Sequence, residues 1–153
     1  AVRQAGETFG MKSAGLADRD TLRLEKGFCI YGNDNDDTAS PIEAGLGWIT
    51  KVNKDFVDAK TLKGHKENGT SRRLVAFEMI DRGIPRKDYD IVNTAGENIG
   101  VVTSGTMSPS LGTAIGLGYV ANDYKTADTE IFIQVRNKNL KAKVVKLPFF
   151  KNA

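Results

Sequence analysis

Two arginines four residues apart, Arg19 and Arg23, are the side chains here best suited to hold an anion. A guanidinium is planar and permanently charged, and its fork of N–H donors matches a carboxylate or a polarised carbonyl. On a helix the pair would share a face, where like charges repel by roughly a few tenths of a kcal/mol. A bound anion would relieve that repulsion, and so would the neighbouring Asp18, Asp20 and Glu25. Exposed ion pairs are common and contribute little, so a balanced wet helix face is the competing reading. For Arg23 the structural role is the stronger one, with Glu25 or an upstream residue as partner. Tyr31, Asn33 and Asp34 follow in a glycine-bearing turn and either line a site or build the turn itself. From Ser104 to Ser110 hydroxyls crowd a loop bent by Pro109; turn chemistry explains them, and contact with a ligand's tail is the alternative.

Other chemistries lack their residues. One cysteine, Cys29, and one histidine, His65, cannot assemble the usual zinc sets, and no spacing suggests a Ser–His–Asp arrangement. Cys29 lies between Phe28 and Ile30 and reads as a buried thiol; His65, in a lysine-bearing stretch, reads as exposed. The net charge of +3 is uneven. Residues 1–70 carry 10 Lys and Arg against 11 Asp and Glu, residues 71–153 carry 12 against 8. A mildly basic C-terminal half suits a polyanion, a polyglutamate tail or an acidic carrier protein, and equally serves solubility. Arg72, Arg73, Arg82, Arg86 and Lys87 are the docking candidates for such a carrier. No basic run is interleaved with aromatics as single-stranded nucleic-acid platforms require. No apolar run reaches the roughly 18–20 residues that span a bilayer. Neither nucleic acid nor membrane is an expected partner.

The elements that must position these residues change character near residue 70. Residues 1–10 and 16–26 are helix candidates, although Thr21–Glu25 alternates with period two and is ambiguous by itself. Gly27 is a C-terminal stop. Ser40-Pro41-Ile42-Glu43 has the pattern of a capping box with proline at the first helical position, and Gly45 and Gly47 end that helix quickly. Asp58 to Asn68 reads as an amphipathic helix capped by Asp58, stopped at Gly69, with Ala59 and Leu62 inward. Six short strands follow: RRLVAFEMI, YDIVN, NIGVVTSG, AIGLGYV, TEIFIQVRN and LKAKVVKL, the last two a hairpin around Asn137-Lys138-Asn139. Their regular spacing predicts a closed or nearly closed antiparallel β-barrel.

The order of several motifs resembles the glycine-cleavage T protein, the aminomethyltransferase family. They are DRD at Asp18–Asp20, LRLEKG at Leu22–Gly27, YGND at Tyr31–Asp34 and SPIEAGLGW at Ser40–Trp48. IGVVTSGTMSPSLGTAIGLGYV at Ile99–Val120 and KLPFFK at Lys146–Lys151 continue the set across nearly the whole chain. The resemblance implies an α+β fold. Residues 1–70 would be the C-terminal helical part of a folate-binding domain, and residues 71–153 an antiparallel β-barrel domain. It implies tetrahydrofolate as substrate, no metal, and the lipoylated H protein as partner. The setting would be a bacterial cytoplasm or a mitochondrial matrix. Arg19 stands at the family's folate-contacting arginine, with Arg23, Tyr31 and Asn33 as weaker folate-site candidates. The family's catalytic aspartate, a pterin-binding glutamate and several tyrosines fall upstream of Ala1, so the chain reads as an inactive C-terminal portion. KLPFFKNA lacks the tyrosine some members place near their end. Related folate-binding ends of dimethylglycine or sarcosine dehydrogenases, or of demethylases, share the architecture. A non-catalytic folate-binding module of the tRNA-modification type is less similar, since KGFCIYGND replaces its KGCYxGQE-like run.

Overall fold

Past Thr70 the alternating apolar pattern folds as six strands: β1 (Arg72–Met79), β2 (Asp90–Val92), β3 (Asn98–Met107), β4 (Ala114–Ala121), β5 (Glu130–Val135) and β6 (Lys138–Val145). The computed structural model describes residues 1–151; the last two residues of the KLPFFKNA tail lie outside the described residues. All neighbouring strands are antiparallel, and the order β1-β4-β3-β2-β5-β6 closes through a β1–β6 pairing. Closure leaves no open sheet edge.

Period-two alternation sends Val75, Phe77 and Met79 of β1 into the barrel, where they meet Ile91, Val102, Val120, Ile131, Ile133 and Val144. The interior is narrow enough to need glycine on the inner face of β4. A Cβ at Gly116 would sit 2.5 Å from Phe77 Cζ, and one at Gly118 2.7 Å from Ile91 Cδ1. The outer faces of β1 and β4 are also covered. Leu24 packs there with Ala76, Ile115, Leu117 and Phe149, so β4 is buried on both sides and loses the usual polar alternation.

That cover comes from the N-terminal segment. Helix α1 (Val2–Gly6) runs into a 3-10 turn at Glu7–Phe9, and α2 (Leu16–Glu25) follows. Asp18 caps α2 by accepting the Gly15 N–H at 2.6 Å. At its end Gly27 takes a left-handed φ of 74°. Phe28 N–H reaches back to Arg23 O and Gly27 N–H to Leu24 O, both at 2.8 Å, a closed C-terminal turn.

Three local expectations need correction. Ser40 and Glu43 exchange the reciprocal capping bonds, at 3.0 and 3.2 Å. They close turns only, because Gly45 turns left-handed before a second helical turn forms. Helix α3 (Ala59–Asn68) forms, but Asp58 itself has φ 68° and makes no side-chain cap. His65 is half-buried, its Nδ1 3.2 Å from Ser40 Oγ, because α3 packs against those same turns. Among the described residues no helix is long and apolar enough to cross a membrane.

Candidate functional site

Helix α2 gives its two arginines different fates. Arg19 is exposed and lines an open groove of about 710 Å³ with Leu16, Leu22, Lys26 and Phe28. Arg23 borders the same groove from beneath and is buried. Its Nε donates to Asp20 Oδ1 at 2.8 Å, its Nη1 to Asp34 and to Phe28 O, its Nη2 to Ser104 Oγ at 2.8 Å. Glu25 is not its partner. The partners are Asp20, one turn back, and Asp34, on the turn after the helix.

Asp34 is the hub of this network. Besides Arg23 it accepts Ile30 N–H at 2.9 Å, Thr103 Oγ1 at 2.7 Å and Ser104 Oγ at 2.6 Å. Consecutive strand residues normally point to opposite faces. Here the β3–β4 register shifts between Val102 and Ser104, and a bulge of this kind re-aims side chains. Two adjacent hydroxyls thus reach one carboxylate. The result fastens the Tyr31–Asp34 turn and α2 onto the barrel wall. Sequence reading weighed Asp34 only as turn or lining, and no spacing rule connects it to residues 69 and 70 positions away.

Glu25 also departs from the expected wet helix face. It is buried at a helix C-terminus, where a negative charge is disfavoured by the helix dipole. Its carboxylate accepts Ser108 Oγ at 2.5 Å, Ser110 Oγ at 2.8 Å and Ser110 N–H at 3.2 Å. Burial raises its pKa, but the Ser108 and Ser110 bonds outweigh burial and leave it below the usual carboxylate value. The hydroxyls of Ser104, Ser108 and Ser110 are therefore taken by two acids of the N-terminal segment. Glu25 O also accepts Phe150 N–H at 2.9 Å, and Lys26 Nζ stands 4.9 Å over the Phe150 ring, tying down the tail.

Tyr31 is exposed and Asn33 half-buried. Lys87 Nζ donates to Asn33 Oδ1 at 3.0 Å and to Gly32 O at 3.2 Å, so it braces the turn. Arg72 pairs with Glu43 at 3.4 Å and lies 4.7 Å over the Tyr119 ring. Arg82 and Arg86 are exposed. Tyr31, Phe28, Cys29, Leu46, Trp48 and Leu147 line a second, mostly apolar pocket of about 840 Å³. Cys29 is half-buried there; burial pushes its thiol pKa up, Asp34 adds to that, and Arg23 partly opposes it. A poorly ionised thiol is a poor nucleophile. Two buried polar atoms, Asn35 Oδ1 and Tyr119 Oη, lack a partner among the described residues. Burial chiefly pushes the Tyr119 phenol up to about 12. Among the described residues no three His, Cys, Asp or Glu converge as a metal set.

A helix clamped to a six-stranded barrel through a buried Arg–Asp pair can be set beside known proteins. The glycine cleavage T-protein C-terminal barrel domain matches residues 72–151, and the GCVT N-terminal domain matches residues 1–54. The chain belongs to the glycine cleavage T-protein family. It is 60% identical over 150 residues to an aminomethyltransferase of Flavobacterium psychrophilum, covering 98% of this chain and 42% of that protein. With an aminomethyltransferase of Bacteroides thetaiotaomicron the identity is 61% over 153 residues, covering 99% and 42%. The crystal structure of glycine cleavage system aminomethyltransferase T from Bartonella henselae superposes with a TM-score of 0.86 at 36% identity, over 91% of this chain and 40% of that one. The chain thus spans about two fifths of the length of these relatives. Two of the motifs that carried the resemblance, LRLEKG and YGND, supply the Arg23–Asp34 clamp.

Proposed function

We propose that this chain is the folate-facing C-terminal part of an aminomethyltransferase. In that reaction the substrate arrives as an aminomethyl group in thioether linkage to the lipoyl arm of an H protein. A nitrogen of tetrahydrofolate attacks the carbon, ammonia leaves, and methylenetetrahydrofolate and the dihydrolipoyl carrier result. The chemistry asks the protein mainly to orient two reactants and to balance charge. The chain spans 42% of the length of its relatives, and residues 1–153 alone are expected not to turn over.

The observation supporting this reading is the split between the two arginines of α2. Arg23 is spent on holding the helix, which leaves Arg19 on the groove rim beside Leu22 and Phe28. An apolar floor with an exposed cationic fork at its rim suits a flat heterocycle bearing carbonyl and ring-nitrogen acceptors. Tyr31 offers a ring to the adjoining pocket; Asn33, held by Lys87, offers least. Exposed Arg82 and Arg86 are the remaining basic groups for an acidic carrier.

Arg19→Ala in a protein of the relatives' full length tests the assignment. A charge-assisted hydrogen bond contributes about 1.5–3 kcal/mol, so tetrahydrofolate affinity should fall roughly 10–100-fold with an unchanged circular-dichroism spectrum. A change under about twofold removes Arg19 from the site. Measurable aminomethyl transfer by residues 1–153 alone refutes the expected inactivity.

A further inference from the structure

The end of α3 depends on a glycine. Gly69 follows the last helical residue, Asn68, with φ 83°, a left-handed value that strains any residue carrying a Cβ. The stop therefore fixes an Asn-Gly step at the helix end, and of the chain's ten asparagines Asn68 alone precedes glycine. Both residues are exposed, and a Cβ built on Gly69 would meet nothing within 4 Å. The Asn68 side chain has no hydrogen-bond partner among the described residues. Terminal helical turns fray, so this step can change its torsions without disturbing the barrel.

An unshielded backbone nitrogen beside a free carboxamide suits an intramolecular attack. The Gly69 nitrogen, having lost its proton to hydroxide, adds to Asn68 Cγ. The bond from Cγ to Nδ2 breaks, ammonia leaves, and a cyclic imide closes. Water then opens the imide on one side or the other. Cleavage between Cγ and the Gly69 nitrogen gives aspartate; cleavage between the main-chain carbonyl and that nitrogen gives isoaspartate, whose main chain runs through Cβ. In sum, asparagine and water become an acid and ammonia, and no oxidant or second protein is required. The surrounding charge favours the step. Gly69 and Thr70 line a hollow of about 370 Å³ with His65, Lys66, Arg73 and Lys125, and no carboxylate lines it among the described residues. The neighbouring acid, Glu67, pairs with Lys63. The adduct formed in the attack is an oxyanion, and cations already in place stabilise developing negative charge. We propose that Asn68-Gly69 is a site of spontaneous deamidation, promoted by the cations of this hollow. The proposal stands apart from the folate reading.

The 153-residue chain is incubated between pH 7 and pH 9, folded and in urea, and each asparagine is followed by peptide mass and by isoaspartate-specific methylation. Asn68 should convert about tenfold faster than Asn137, which is also exposed, in the turn between β5 and β6, but is followed by Lys138 rather than glycine. Its rate should rise about tenfold per pH unit, because a backbone N–H is a far weaker acid than any side chain here. The folded chain should convert at least as fast as the chain in urea. Lys66→Gln/Lys125→Gln, two exposed changes, should slow the folded chain and leave the rate in urea unchanged; high salt should do the same. Asn68→Gln should remove the signal from this peptide with an unaltered circular-dichroism spectrum. A folded rate far below that in urea shows that α3 shields the step and overturns the proposal, as does equal conversion at Asn137 and Asn68. A folded rate indifferent to both lysines and to salt overturns the role given to the hollow.

Discussion

Replacing Asp34 by Asn tests the clamp with almost no change in volume. The carboxylate is 1% exposed and receives donors from Arg23, Ile30, Thr103 and Ser104. An amide would turn one acceptor oxygen into a donor that faces other donors, and it would leave a buried guanidinium short of its counterion. Breaking a buried ion pair from one side costs about 3–5 kcal/mol. Asp20 still pairs with Arg23, but its side chain is 44% exposed and so compensates only partly. The lower end, about 3 kcal/mol, is therefore expected. For a domain of this size that corresponds to a Tm drop of roughly 6–12 °C, read by circular dichroism and checked by urea unfolding. Asp20→Asn should cost under about 1 kcal/mol, as half-exposed pairs do. Replacing both buried partners, Arg23→Met with Asp34→Leu, should recover part of the Asp34→Asn loss, since the only charge left unpaired is the half-exposed Asp20. A cost below about 1 kcal/mol for Asp34→Asn would refute the claim that this pair fastens α2 to the barrel.

Glu25 supplies a pH test. Its folded pKa lies below the ordinary 4.5, so its contribution is complete above that value and is lost as pH falls through and below it. The stability gap between wild type and Glu25→Gln should narrow from pH 7 to pH 3; a constant gap contradicts this. Tyr119→Phe removes a buried hydroxyl that has no partner among the described residues, so stability should hold or rise slightly. A urea-unfolding loss above about 2 kcal/mol would reveal a bond to an ordered water. Gly116→Ala drives a Cβ to 2.5 Å from Phe77 and should cost about 1–3 kcal/mol by overpacking; neutral thermal unfolding would show that the barrel interior has slack.

The fold was legible where periodicity and turn chemistry act locally. Six strands, their hairpin at the end of the chain and the Gly27 stop all follow from short-range pattern. The run Thr21–Glu25 was not legible, because its burial inverts the usual rule: Leu22 is 62% exposed while Arg23 and Glu25 are buried. Polarity predicts exposure only when no partner is waiting. The partners here, Asp34 for Arg23 and Ser108 with Ser110 for Glu25, are supplied by the tertiary fold.

By itself, then, the sequence determined the strands, the helix ends and a run of motifs specific enough to point to one family. Those depend on residues a few positions apart, whose conformations are limited by sterics and by local hydrogen bonding. Only the tertiary structure decided that Arg23 is a clamp and Arg19 is left at the groove. The physical reason is distance along the chain. A bulge in β3 brings two hydroxyls to a carboxylate 69 and 70 residues earlier, and no local rule encodes which charges will be taken out of water together.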